Sequence, residues 1–96
     1  MIITIDIDKD APGIYVARAQ IGSTEVSEAK AYDRIEHAIR GEAIRATGFA
    51  DFVEFTYRGM STGTYVTEGV AAKAAELADR LIELIAEMHR VAESRR

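Results

Sequence analysis

Between Thr67 and Glu93, apolar residues recur with a period of seven: Val70, Leu77, Leu84 and Val91 on one line, Ala74, Leu81 and Met88 on a second. This is the a/d spacing of a helix that packs along a seam. A neighbouring line of Ala71, Ala75, Ala78, Ile82 and Ile85 widens the apolar face, so one flank can cover the chain's own sheet while the other meets a second copy. About 27 residues at ~1.5 Å rise extend for roughly 40 Å, longer than so small a core can cover. The pattern predicts a homodimer, or higher homo-oligomer, joined through Val70, Ala74, Leu77, Leu81, Leu84, Met88 and Val91. The competing reading is one amphipathic helix that closes a monomer's core.

Local chemistry marks the ends of this helix. The Thr67 hydroxyl is placed to cap the first turn, with Glu68 where the helix dipole favours an anion. His89, Arg90, Arg95 and Arg96 gather where the dipole favours cations.

A chain of 96 residues makes a single domain, read as a sheet with a first helix over residues 1–66 and the long helix over 67–94. A net charge of −4, with acids spread along the whole chain, argues against nucleic acid as a partner, because phosphate binding needs a basic surface. Cysteine is absent, which removes disulfides, thiolate catalysis and cysteine-ligated metals and fits a cytoplasmic location. No stretch approaches the ~18 apolar residues of a membrane span, and Met1 to Ile7 runs into a strand pattern without the layout of a signal peptide.

Ile3, Ile5 and Ile7 alternate with Thr4, Asp6 and Asp8, the pattern of a half-buried first strand. Pro12-Gly13 is turn chemistry, and Ile14 to Ile21 returns as the second strand of an antiparallel hairpin. Thr24 to Tyr32 fits either a third, edge strand or a helix, the strand being preferred. Asp33-Arg34-Ile35-Glu36 resembles a capping box and starts a helix at Arg34. Ile35, Ala38, Ile39, Ala43 and Ala46 form its apolar stripe, and Gly48 its stop. Gly41 inside this helix costs up to about 1 kcal/mol relative to alanine, and close packing against another backbone is a reason to keep it. Phe49 to Arg58 reads as a strand with Val53, Phe55 and Tyr57 on one face; a flexible loop, Gly59 to Gly63, and a short strand, Thr64 to Val66, follow. The fold class is α+β: a small antiparallel sheet in the order βββα, β, α, packed by two helices, the second long and amphipathic.

Arg58-Gly59-Met60-Ser61-Thr62-Gly63-Thr64 is the one candidate ligand segment. Two glycines, three hydroxyls and an arginine ahead of a helix can hold a phosphate through Arg58, Ser61, Thr62 and Thr64. It lacks the Lys-Ser/Thr of a P-loop, and a plain connection is the competing reading. Asp6, Asp8 and Asp10 resemble a carboxylate cluster, but the glycine and final glutamate of a calcium loop do not follow, so neither metal nor cofactor is expected. His37 and His89 read as helix-surface residues, and Arg34, Glu36, Arg40, Glu42 and Arg45 as a mixed-sign solvated face or a partner-docking surface.

Lys9-Asp10-Ala11-Pro12-Gly13-Ile14-Tyr15-Val16 resembles the opening hairpin of HicB-type antitoxins, whose second strand also ends near a glycine. The resemblance covers Ile2 to about Arg58 and implies a truncated RNase H-like fold and a module that dimerises and binds or masks a partner protein. Thr67 to Glu93 is one long helix where that family adds a small DNA-binding module. The same fold implies an alternative, a nuclease with an aspartate on the first strand, a glutamate on the first helix and an aspartate ending the next strand. Asp6 and Glu36 match the first two, while Thr56-Tyr57-Arg58-Gly59 leaves the third place without an acid. A purely architectural oligomer is the remaining alternative.

Overall fold

The computed structural model describes residues 1–94. Six strands form one mostly antiparallel sheet, covered on one face by two helices, an α+β architecture of two layers. Strand β1 (Ile2–Ala11) turns at Pro12-Gly13 into β2 (Ile14–Ile21), as the alternation and the turn residues require. Along the outer edge of β2 lie two short pieces in place of a single third strand, β3 (Thr24–Glu25) and β4 (Lys30–Tyr32). Helix α1 (Ile35–Ala46) follows, then β5 (Phe52–Tyr57), β6 (Met60–Val66), a 3₁₀ turn (Val70–Lys73) and α2 (Ala74–Ser94).

The strand order is β3-β2-β1-β5-β6, with β4 also on β2, and β1 runs parallel to β5. Register places Ile5 between Ala19 and Phe55 and Ile7 between Ala17 and Tyr57. Large side chains on the central strands flank small ones on β2, leaving room for α1 to settle on the sheet. Ile35, Ala38, Ile39, Ala43 and Ala46 of α1 are buried there, as their spacing predicts. The 3₁₀ turn packs on α1 through Val70, and helix α2 lies against α1 and β6 through Ala74, Leu77, Ala78, Leu81 and Ile85. The opposite face of the sheet, with Thr4, Asp6, Asp8, Arg18, Glu54 and Thr56, carries no helix among the described residues.

Three local expectations are corrected. Thr67 does not cap the long helix: it is buried, its Oγ1 lacks a hydrogen-bond partner among the described residues, and Gly69 caps the 3₁₀ turn that leads into α2 at Ala74. Asp33 does not close a capping box, because α1 starts after Arg34 with no side-chain cap and the Asp33 carboxylate takes the His37 ring instead, at 2.6 Å. That hydrogen bond holds the Asp33 carboxyl below its ordinary value. Gly59 to Gly63 is not a loop. Arg58 (φ 53°) and Gly59 (φ 81°) both take the left-handed conformation of a two-residue hairpin turn, so the chain reverses at once and the following residues enter β6. Arg95 and Arg96, expected to finish the cationic end of α2, lie outside the described residues.

Burial along α2 sets a direct test. Leu81 is fully buried, whereas Val91 is exposed, so Leu81→Ala is expected to cost about 2–5 kcal/mol and Val91→Ala no more than about 0.5 kcal/mol in the dilute monomer. Urea unfolding measures both; a Leu81→Ala loss under about 1 kcal/mol contradicts this packing.

Candidate functional site

The hairpin of β5 and β6 distributes the four candidate phosphate residues instead of converging them. Arg58 sits in the turn, the Ser61 hydroxyl donates to Glu54 on the open face, and Thr62 is buried against the Phe55 backbone, accepting from its N–H at 3.2 Å. Thr64 is exposed opposite Glu54. Ser61 and Thr64 share the open face beside the Glu54 carboxylate, while Thr62 points to the other face and Arg58 stays in the turn, so the four do not line one cradle.

The acids are also separated. Asp6 lies on the open face and accepts from the Thr56 hydroxyl at 2.7 Å, while Asp8 pairs with Arg18 at 3.3 Å. Glu36 belongs to α1, on the other face, and pairs with Arg40 at 3.0 Å. The sheet stands between Asp6 and Glu36, and no group of three or more His, Asp or Glu able to hold a metal occurs among the described residues.

The apolar line of α2 is divided. Val70, Ala74, Leu77 and Leu81, expected at a dimer seam, are consumed in the monomer's own core. Leu84 is half-buried, Met88 is 40% exposed and Val91 41% exposed. Among the described residues the last buried one is Ile85, and from Ala86 to Ser94 the helix is exposed. At ~1.5 Å per residue, that exposed stretch covers about 13 Å.

A polar site that the chemistry of the sequence left on a solvated face sits under α1. Glu42 is only 2% exposed, and its Oε2 receives both the Tyr32 hydroxyl (2.6 Å) and an Arg45 guanidinium N–H (2.8 Å). Burial, with the hydrogen bond to Glu42 and its charge, pushes the Tyr32 phenol up to about 12. The Glu42 charge likewise raises Arg45 above its ordinary value. Tyr32 packs so closely on α1 that a Cβ at Gly41 would meet its ring at 2.7 Å, which is the close approach that justifies a mid-helix glycine; the neighbour is a side chain and not a second backbone. Glu42, Arg45 and Ser27 join Ile3, Ile5, Ala19, Val26, Ala46 and Phe49 around a half-open cavity of about 230 Å³. The signal for this site was positional. Glu42 lies three residues after Ile39 and four before Ala46, on the apolar stripe itself, where an acid must be paired to be tolerated. His37 and His89 lie on helix surfaces, as read.

No family model matches this chain, and neither a curated protein nor a solved structure matches it. Among the described residues no helix is long and apolar enough to cross a membrane.

The Tyr32–Glu42 contact ties stability to alkaline pH. The folded phenol titrates near 12 and the unfolded one near 10, so the folded state holds the proton more tightly. Its stabilisation is complete below pH 10 and is lost as pH rises from 10 towards 12. Urea unfolding across that range is expected to show the decline in the wild type and a shallower one in Tyr32→Phe; equal slopes contradict the assignment.

Proposed function

We propose that this chain is a small protein-interaction module of the cytoplasm that self-associates through the free end of α2 and, like the HicB-type antitoxins, binds and masks a partner protein. The observation that carries this reading is the division of α2: its packing inside the monomer ends at Ile85, while Leu84 and Val91 of one apolar line and Met88 of the other continue the stripe outward. Ala86 to Ser94 prolongs an already formed helix but packs on nothing else among the described residues, and most helical stability in proteins comes from packing of an apolar face. A second copy crossing this end buries Met88 and Val91 and supplies what the short overhang lacks. Support for the masking role comes from the opening hairpin, which turns at Pro12-Gly13 and whose second strand ends just before Gly22, the features shared with that family.

Light scattering on size-exclusion chromatography tests the association. The wild type is expected to run as a dimer and the Met88→Asp/Val91→Asp variant as a folded monomer, with dimerisation weakened by at least about 100-fold because a charge in an apolar seam is left unpaired. A wild-type monomer at the highest accessible concentration, or a variant dimer, contradicts it. Native mass spectrometry of the protein purified from its own host tests the masking: a second small protein bound to the dimer is expected, and a bare dimer overturns that part in favour of an architectural role.

A further inference from the structure

The cavity under α1 has a composition that a mere packing defect does not need. Both hydrogen bonds to Glu42 end on Oε2, and Oε1 receives none among the described residues. Nor is Oε1 sealed away: Thr67 Oγ1 is the one buried side-chain polar atom without a partner among those residues. An accessible oxygen on a side chain otherwise 98% buried (2% exposed) must reach open space, and the cavity is the open space that Glu42 lines. A carboxylate oxygen in such a position is an unused hydrogen-bond acceptor. Arg45, on the same wall, spends one N–H on Glu42 and keeps further donors in its planar fork. The charges of Glu42 and Arg45 cancel, so the polar wall is neutral overall while offering an acceptor beside a donor. The remaining walls are apolar.

We propose that this cavity is a binding site for a small neutral molecule with an apolar body and a head that both donates and accepts hydrogen bonds, such as a primary carboxamide. The head donates to Glu42 Oε1 and accepts from Arg45, and the body lies among Ile3, Ile5, Ala19 and Val26. Size fits this class. The space of about 230 Å³ exceeds the ~150 Å³ apolar cavity that holds a benzene ring and falls short of the ~300 Å³ at which pockets for drug-sized ligands begin. Charge selects within the class: a carboxylate meets Glu42 and an ammonium meets Arg45, each losing on one partner what it gains on the other. The site is independent of the free end of α2, so it stands or falls apart from the association proposed above.

Nuclear magnetic resonance titration of the full chain with benzamide, benzoate and benzylammonium tests it. Benzamide is expected to shift the amide resonances of Ala19, Val26, Ser27 and Ala46 saturably, with a dissociation constant on the order of 1 mM. Benzoate and benzylammonium are expected to bind at least about tenfold more weakly. Ser27→Trp, which fills the mouth from a partly exposed position, is expected to abolish the benzamide shifts while leaving the rest of the spectrum folded. Glu42→Gln gives the sharper reading. Its amide oxygen stays with the two donors, Tyr32 and Arg45, so its NH₂ replaces the open acceptor and the Arg45 charge is no longer balanced. Preference is then expected to pass from benzamide to benzoate. Absence of saturable shifts, equal binding of the three probes to the wild type, binding that survives Ser27→Trp, or an unchanged preference in Glu42→Gln overturns the proposal.

Discussion

β1 is hydrogen-bonded along both edges, antiparallel to β2 and parallel to β5, and every other element takes its place from that double pairing. A parallel partner cannot be reached by a tight turn, so the chain must cross over the sheet between the two strands, and α1 lies in that crossover. Because β1 alternates, the crossover has one apolar face to cover, Ile3, Ile5 and Ile7. Full burial of residues such as Ile5, Ile7 and Phe55 is worth about 1.5–3 kcal/mol each against leaving them exposed, so covering this face is a main reason for α1 to settle on the sheet. The same pairing leaves the opposite face, with Asp6 and Asp8, to small polar contacts.

How far the sequence discloses this depends on whether a residue's role is set locally. The first hairpin was legible because period-two alternation and Pro12-Gly13 agree, and α1 because its apolar stripe is regular. The parallel partnership of β1 and β5 was not, since it is decided by residues about 50 positions apart. Gly59 to Gly63 misled by composition: glycine and hydroxyl residues suggest a loop, but a turn of only Arg58 and Gly59 suffices, after which threonines suit a strand. The Thr67 hydroxyl looked like a cap because residue type alone suggests one, whereas a 3₁₀ turn starts after Gly69 and the long helix only at Ala74.

The long helix shows a different limit. An apolar line at heptad spacing fits a partner helix and the chain's own core equally well, because both demand the same stripe. Here the structure uses Val70 to Ile85 internally and leaves the remainder free, so the seam read as one feature is two. Glu42 was hidden for a related reason. Beside Arg45 it reads as one more charge on a wet face, and only its position on the apolar stripe sets it apart.

The account turns on the claim that α2 is anchored up to Ile85 and free beyond it until a second copy arrives. Hydrogen exchange along α2 at low and high protein concentration measures this directly. The account predicts slow exchange through Ile85 at both concentrations, with the amides from Ala86 to Ser94 fast when dilute and protected when concentrated. Protection of the last turns in the dilute protein, or fast exchange there at every concentration, would contradict it.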